Sequence, residues 1–301
     1  MIELKNEKIA IPVVLFAGLI WSFGPLVVRY MSDPHLVTWQ YIFARGLTIF
    51  IILNLYLFFE EGKNFYKNYF KIGISGLIGG VGLGVAMVTF IYSITNTSAA
   101  ITLLCLAAMP FFTALLGFLF LKERISLNVW AAIIIATIGL IIIALGNAEK
   151  NSLVGLIFGM TSSIGFSVFS VTLRWRKETP KFTTVAIAGL FCVVVSSIFI
   201  IVTGSNFFSS SYNGSLFSLH GTLVSIGLIL YSIGSKVIAA AELTLLSLTE
   251  VIGGIFWVWL PLFGVNEIPS SNTIIGGFFI FVSIIYYSLT IKTNRRFIAL
   301  N

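Results

Sequence analysis

Residues 72–94 read IGISGLIGGVGLGVAMVTFIYSI, a run of 23 residues without one charged side chain. A helix needs about 20 consecutive, mainly apolar residues to cross roughly 30 Å of hydrocarbon. The rest of the chain is similar, since 58% of its 301 residues are hydrophobic, only 10% are charged and the mean hydropathy is +1.03. A soluble domain carries roughly 25% charged residues. The composition therefore excludes a soluble protein and predicts an all-α integral membrane protein.

About ten such apolar runs follow one another along the chain. They cover 9–31, 36–59, 72–94, 98–121, 126–146, 152–175, 181–203, 219–240, 243–264 and 270–291. The boundaries near 95–98 and 241–243 carry no charge, so a count of nine or eleven stays open. The first run follows Lys5 and Lys8, as a signal peptide would, but it is too long for one and lacks a cleavage site, so we expect it to remain as a helix.

The basic residues predict the orientation, because cytoplasmic loops of membrane proteins are enriched in Lys and Arg. With ten spans and the N-terminus inside, Arg29 and Lys150 fall in outer segments and Arg45 falls within a span. The remaining 15 of the 18 basic residues fall in inner segments. This asymmetry predicts a multi-pass protein of the cell (inner) membrane with both termini in the cytoplasm.

The two halves of the chain share a pattern at a constant offset. Gly18, Ser22 and Gly24 of the first span recur 141 residues later in the sixth. At the same offset Ala99-Ala100 matches Ala240-Ala241, and Met109 matches Glu250. These collinear matches predict two units, 1–147 and 148–301, each with five spans.

Five is an odd number, so the second unit must enter the membrane from the opposite side. Inverted repeats of this kind are typical of secondary transporters, which bind substrate near the midplane between the repeats. The pattern thus favours alternating access between two similar halves. The alternative, a duplication retained only for folding, stays open.

Two stretches resemble a known family. They run from Thr97-Ser98-Ala99-Ala100 through Pro110 to Lys122-Glu123-Arg124-Ile125-Ser126, and from Ala240-Ala241-Glu242 through Glu250 to Glu267-Ile268-Pro269-Ser270. They are similar to the repeat signature of the EamA-type transporters in the drug/metabolite transporter superfamily. The resemblance implies a carrier whose central cavity is lined mainly by spans 1, 3, 4, 6, 8 and 9. The family's usual Glu-Pro is here Glu250-Val251, so we expect no proline kink at that point and take Pro261 as the alternative site of one.

Two ionisable residues lie deep within spans. Arg45 is roughly 15 Å from the outer end of span 2, and Glu250 is roughly 11 Å from the inner end of span 9, at about 1.5 Å per residue. Each costs about 2.5–3.5 kcal/mol at a helix centre, so each should face a cavity or a partner. Glu250 is the candidate for coupling to protons or binding a cation, with static interhelical contact as the alternative. Arg45 is the candidate for an anion clamp, with a fixed ion pair to Glu250 or hydrogen bonds to helix carbonyls as the alternative.

Aromatic and polar side chains on neighbouring spans complete the predicted substrate-binding set. Beside Glu250 and Arg45, it contains Trp21, Ser22, Tyr41, Tyr92, Asn96, Tyr231, Ser232 and Trp257. Aromatic rings beside a carboxylate favour an organic cation by cation–π attraction. Trp and Tyr also collect at membrane interfaces, which is the alternative explanation for several of them.

The residues of enzymes and pumps are missing from the sequence. The two histidines, His35 and His220, stand singly near the predicted outer face, and no paired acids accompany them at metal-ligand spacing. Cys105 and Cys192 lie within apolar runs and indicate no disulfide framework. We therefore predict a secondary active transporter of a small organic metabolite (an amino acid, an amine or a related solute), without a cofactor or bound metal, in the lipid bilayer and not on nucleic acid.

Three points stay open at this stage. Proton coupling, import or export, and a homodimer are all compatible with the sequence. An uncoupled channel or facilitator is the alternative function, and a membrane-embedded enzyme is a weaker one. The apolar spans argue against the continuous polar stripe that a channel needs.

Overall fold

The structure of the chain is a computed structural model that describes residues 7–96, 99–123, 125–145, 153–176, 178–265, 268 and 270–298. The regular structure of these residues is helical throughout. The helices are α1 (Glu7–Trp21), α2 (Gly24–Tyr30), α3 (Thr38–Glu61), α4 (Lys67–Phe70), α5 (Gly73–Asn96), α6 (Ala99–Leu106), α7 (Met109–Leu116), α8 (Leu127–Leu145), α9 (Leu153–Trp175), α10 (Lys181–Thr203), α11 (Ser211–Gly234), α12 (Ala240–Ser247), α13 (Thr249–Trp259) and α14 (Ser271–Ile298).

Seven helical segments among the described residues are long and apolar enough to cross a membrane. They are Ile9–Tyr30, Thr38–Asn64, Gly73–Asn96, Val154–Trp175, Lys181–Thr203, Ser211–Gly234 and Ala240–Trp259. Three shorter apolar helices, Met109–Leu121, Leu127–Gly139 and Ile274–Tyr287, lie where the fourth, fifth and tenth runs were predicted. The protein is a multi-pass, all-helical membrane protein, and the count of ten spans stays a prediction.

The eighth and ninth predicted spans are placed too far along the chain. The structure begins α11 at Ser211, eight residues before the predicted 219, and ends α13 at Trp259, before the predicted 264. Ser210 caps α11 by accepting a hydrogen bond from the backbone N–H of Asn213 (3.2 Å). The polar residues of this first turn resemble a loop in hydropathy, although Asn213 is buried. The correction carries His220 about 13 Å into the helix at 1.5 Å per residue.

Two of the seven long segments, Ile9–Tyr30 and Ala240–Trp259, are broken, and so is the fourth predicted run, between α6 and α7. The break between α1 and α2 precedes Pro25, and the break between α6 and α7 precedes Pro110; each proline is the second residue of the new helix. The third break, between α12 and α13 at Leu248, has no proline. The helix is thus broken beside Glu250 at a place where no proline kink was expected. Pro261 opens a 3-10 turn, Pro261–Phe263, after the end of α13.

The third break is made by side chains instead of a ring. The hydroxyl groups of Ser247 and Thr249 donate to the carbonyl oxygens of Thr244 (2.8 Å) and Leu246 (3.1 Å). The backbone N–H of Val251 bonds back three residues to Leu248 (3.0 Å) instead of four. Hydroxyl groups that compete for helix carbonyls in this way bend helices, so the local sequence supplies a cause.

The helices pack in pairs that recur in the two parts of the chain. Helix α1 packs against α11, α12 and α13, and α9 packs against α5, α6 and α7. Helix α3 packs against α10 and α11, while α10 packs against α3 and α5. Glycines make the closest crossings: a methyl group on Gly82 would lie 3.1 Å from the carbonyl of Gly165, and one on Gly46 would lie 3.0 Å from that of Gly189. Small residues of this kind allow membrane helices to approach closely.

Some of the sequence predictions lie outside the described residues. The boundary at 147/148 between the two predicted units is one, and Thr97, Ser98, Arg124, Glu267 and Pro269 of the family signature are others. Cys105 and Cys192 are described, and both are free and buried.

Candidate functional site

A cavity lies at the centre of the bundle, where α1, α3, α5 to α7, α9, α11 and α13 meet. The volume open to water-sized molecules is about 60 Å³, which is room for roughly four waters. Its lining is Trp21, Arg45, Leu83, Ala86, Met87, Phe90, Leu106, Met109, Ser162, Phe166, His220, Val224, Leu228 and Glu250. Most of these side chains are apolar, but an acid, Glu250, and a base, Arg45, lie among them.

Glu250 enters the cavity from the break between α12 and α13. It is the second residue of α13, in its first turn. The first N–H groups of a helix have no acceptor within the helix, and the helix dipole is positive there. The broken backbone thus favours a negative charge at this position, which an unbroken span would not do.

Arg45 enters the cavity from α3 and is 6% exposed. Within the described part of the chain, its Nε has no hydrogen-bond acceptor, and no ion pair of 4.0 Å or less joins it to Glu250. Both charges therefore line one cavity without touching each other. The two alternatives to an anion clamp, a fixed ion pair and bonding to helix carbonyls, find no support for Nε in this geometry.

His220 is a cavity residue that sequence reasoning missed. It is 2% exposed and lies on α11 opposite Tyr41, whose hydroxyl group is hydrogen-bonded to Nδ1 of the imidazole. The ring tip fits against Gly24 at the start of α2, where a methyl group would lie 2.8 Å from Nε2. His220 was expected near the outer face because the start of α11 was predicted eight residues too late. The Ser210 cap is the signal that would have placed it within the helix.

Trp21 forms an aromatic wall of the cavity. Its indole N–H donates to the carbonyl of Val224 (3.3 Å). Its ring centroid lies 5.8 Å from that of Phe166, edge to face, and 5.6 Å from that of Tyr231. Trp21, Arg45 and Glu250 are thus the three predicted site residues that line the cavity.

The other seven predicted residues lie outside the lining of this cavity. Tyr41 stands behind His220, as described above. Tyr231 is fully buried and shares a hydrogen bond of 2.7 Å with Ser170. Ser232 is also buried, and its hydroxyl has no partner among the described residues.

The remaining four predicted residues contact other parts of the bundle. Trp257 donates from its indole N–H to the hydroxyl of Ser22 (2.7 Å), which ties α13 to the break between α1 and α2. Tyr92 packs on Phe158 with ring centroids 4.4 Å apart. Asn96 is exposed and donates to the carbonyl of Tyr92 (2.8 Å). These residues hold helices together, and their contacts do not bring them to the cavity.

The end of the bundle that holds Arg174, here called the Arg174 end, is held together by a charged group. Arg174 at the end of α9 pairs with Glu123, which follows α7, at 2.8 Å. Its other arm donates to the carbonyls of Ser235 (3.3 Å) and Ile238 (2.7 Å) between α11 and α12. One side chain thus joins three parts of the chain.

The opposite end, here called the Asn213 end, is held together by neutral groups. The side-chain amide of Asn213 bonds both the N–H and the carbonyl of Ser32, each at 3.0 Å. The hydroxyl of Tyr30 donates to the carbonyl of Phe263. No group of three or more His, Cys, Asp or Glu residues suited to a metal occurs in the described ranges.

Comparison with known proteins agrees with this architecture. Residues 8–145 match the EamA-like transporter family. Residues 8–145 are therefore an EamA-like transporter domain. The prediction of an EamA-type member of the drug/metabolite transporter superfamily is thereby confirmed, and it rests on the named relatives as well as on the family match.

Several relatives of this EamA-type chain carry names. An "uncharacterized transporter" of Helicobacter pylori (strain J99) is 28% identical over 171 residues, which are 56% of each chain, so the match spans little more than half of that relative. A "pseudopaline exporter CntI" of Pseudomonas aeruginosa (strain UCBPP-PA14) is 26% identical over 72% of this chain and 75% of its own length. A crystal structure that is 18% identical superposes with a TM-score of 0.70 over 95% of this chain and 98% of its own, and this shows a shared fold.

Proposed function

We propose that the protein is a secondary active transporter that moves a small organic metabolite through the central cavity by alternating access. One observation carries this proposal: an acid and a base, Glu250 and Arg45, line a single cavity at the centre of a membrane bundle without pairing. Ionisable residues at membrane depth are costly and usually mark a pathway. The transporter and exporter names of the relatives support the same conclusion.

The proposed carrier consists of two inverted units of five spans, 1–147 and 148–301. The packing supports this division, because the most extensive helix contacts have counterparts when the units are exchanged: α1 with α11 corresponds to α9 with α5, and α3 with α11 corresponds to α10 with α5. The breaks at Ala107–Ala108 and at Leu248 also differ by the offset of 141 residues. Substrate sites of inverted-repeat carriers lie between the repeats, which is where the cavity is.

The closures at the two ends fit a carrier better than a channel. In this scheme the contacts of Arg174 close the cavity toward the Arg174 end, and those of Asn213 with Ser32 close it toward the Asn213 end. Alternating access requires that one closure opens while the other holds. We assign the Arg174 end to the cytoplasm of a cell with an inner membrane, on the distribution of basic residues, with both termini on that side.

Glu250 is the proposed coupling residue. The net charge of a cavity that holds a carboxylate and Arg45 changes when a proton, an ammonium group or another organic cation binds the carboxylate. Coupling in this scheme needs Glu250 in both charge states during the cycle. A variant that is fixed in the neutral state interrupts the cycle but keeps the shape of the side chain.

The test compares Glu250→Gln with Glu178→Gln in proteoliposomes. Glu178 is an exposed acid in the segment between α9 and α10, so it is the matched control. A thermal-shift screen of amino acids, amines, betaines and organic acids first selects the solutes that stabilise the wild type. Gradient-driven uptake of those solutes should fall to background in Glu250→Gln and persist in the control. Unchanged, pH-dependent uptake in Glu250→Gln removes Glu250 from the mechanism, and equal downhill flux without any gradient coupling indicates a facilitator.

A further inference from the structure

Arg45 is a buried cation in the cavity, and its partner is absent from the residues that the structure describes. We propose that Arg45 binds the carboxylate group of the solute, so that the solute is a carboxylate-bearing metabolite and not a simple amine. The proposal rests on the transport function proposed above, because it names the chemical class of the solute at the same cavity.

The first argument is the missing acceptor. Arg45 is 6% exposed, its Nε has no acceptor among the described residues, and Glu250 is not within 4.0 Å of it. Tyr41, one turn earlier on α3, is hydrogen-bonded to His220. A buried charge without a partner costs more than a hydrogen bond contributes. The guanidinium group therefore needs an acceptor that the described residues do not supply.

The second argument is that Arg45 cannot withdraw toward water. A methyl group on Gly221 of α11 would lie 3.0 Å from the backbone carbonyl of Arg45. A methyl group on the next residue, Gly46, would lie 3.0 Å from the carbonyl of Gly189 of α10. Neighbouring helices therefore touch α3 on both sides of Arg45. Long basic side chains escape burial by reaching to the membrane surface, but a backbone held at this depth keeps the guanidinium in the bundle.

The third argument is the fit between the groups. A guanidinium group presents a planar fork that binds a carboxylate by two parallel hydrogen bonds. Glu250 on α13 repels a carboxylate, so the acid group of a solute is oriented toward α3. The remaining wall, which includes Leu83, Met87 and Phe90 of α5, suits an apolar solute body.

The experiment measures binding to the purified full-length protein in chloride-free buffer by thermal unfolding. The probes are propionate, butyrate and 4-methylpentanoate, the amines of the same chain lengths, and chloride as an inorganic anion. We expect the carboxylates at millimolar concentration to raise the melting temperature of the wild type, and the amines and chloride to leave it unchanged. The Arg45→Gln variant should bind the carboxylates about tenfold more weakly or worse, whereas the exposed-residue control Arg176→Gln should match the wild type.

A second readout separates ligand binding from a structural role. If Arg45 is an unpaired buried charge, Arg45→Gln should raise the melting temperature measured without ligand. If Arg45 belongs to a structural ion pair, the same change should lower that melting temperature. Should Arg45→Gln not fold, Arg45→Lys retains the charge but not the fork, and carboxylate binding should still weaken. The proposal is overturned if no carboxylate stabilises the wild type, if amines or chloride do so equally, or if the variants bind as the wild type does.

The two proposals fail in different ways. Carboxylates that bind through Arg45 but are never moved in proteoliposomes contradict the transport function and leave the solute class intact. Transport of amines that does not change on substitution of Arg45 contradicts the proposed solute class and leaves the transport function intact.

Discussion

Helices α6 and α7 meet at residues 107–108, and α12 and α13 meet at Leu248, at equivalent places in the two parts of the chain. Pro110 accompanies the first break, and the hydroxyl groups of Ser247 and Thr249 accompany the second. The residues that correspond at the offset of 141 also differ: Met109 and Glu250 both line the cavity, but only Glu250 is ionisable. The shared backbone feature is thus reached by different local chemistry, while the charged function lies on one side.

A second comparison shows when a proline matters. The break between α1 and α2 precedes Pro25, and the equivalent residue 141 positions later is Phe166 in α9, which is continuous from Leu153 to Trp175. Helix α9 instead donates from Ser163 to the carbonyl of Cys105, and its Ser167 donates to that of Met109 (3.2 Å). The continuous helix α9 thus supplies hydrogen bonds to carbonyls at the break between α6 and α7, where lipid offers none.

The largest expected effect comes from moving the charge between the two breaks. Glu250→Met should reduce gradient-driven uptake to background, because both cavity positions are then uncharged. Adding Met109→Glu to this variant should restore measurable uptake, since residue 109 lines the same cavity. Proteoliposome uptake checks both, and Met109→Glu in the wild-type background should lower stability by about 3 kcal/mol through a second buried acid. Full uptake in Glu250→Met would contradict the claim that transport needs the charge at residue 250.

The charged closure at the Arg174 end should open more readily when its ion pair is removed. Arg174→Gln loses Glu123 as a partner, although part of the pair's strength is screened because the side chains are 27% and 21% exposed. A cysteine placed at the cavity residue Ser162 should then react several-fold faster with a polar maleimide added from that side. Arg176→Gln serves as the control, and equal rates in both variants would remove Arg174 from the closure.

The glycines at the two inter-unit contacts should be equally intolerant of a methyl group. On α1, a methyl group at Gly18 collides with the hydroxyl of Thr249; on α9, one at Gly159 lies 2.8 Å from Cys105. Each Gly→Ala change should destabilise the protein by about 1–3 kcal/mol. Gly277→Ala meets nothing within 4 Å and should be close to neutral in thermal unfolding. A large cost at only one of the two glycines argues against equivalent units.

The smallest expected effect concerns the cause of the second break. Thr249→Val removes the hydroxyl that bonds the carbonyls of Leu246 (3.1 Å) and of Leu15 on α1 (3.4 Å). The second bond joins two helices, so the change should cost about 0.6–1.7 kcal/mol, the range for polar contacts between membrane helices. Thr161→Val removes a similar bond to the carbonyl of Ile157 (2.8 Å) at an exposed place in the continuous helix α9 and should cost less. Thermal unfolding of the pair gives the difference, and a reversed order would contradict the role assigned to Thr249.

Sequence reasoning located the apolar helices well where charges mark their ends. It failed at α11, because Ser210 and Asn213 form a buried cap whose polarity resembles a loop. That error of eight residues also hid His220. Hydropathy averages over a window and cannot distinguish a capped helix start from a turn, so the tertiary contact of Asn213 with Ser32 was required to place it.

The predicted site was partly right because charge at membrane depth is a strong signal, whereas the rotation of a helix is not. Glu250, Arg45 and Trp21 line the cavity. On α5 the cavity face follows Leu83, Met87 and Phe90 at helical spacing, and Tyr92 and Asn96 are out of phase with it. Composition gives no rotational phase for a helix that is apolar all round, so aromatic residues were assigned to the cavity too freely.

The central claim is that two units of opposite orientation meet around the acid and the base. Reporter fusions that indicate compartment, one within residues 147–151 and one at the carboxyl terminus, test it most directly. The account predicts that the two reporters lie on opposite sides of the membrane, with the carboxyl terminus in the cytoplasm. Reporters on the same side would contradict the inverted arrangement, and the carrier mechanism with it.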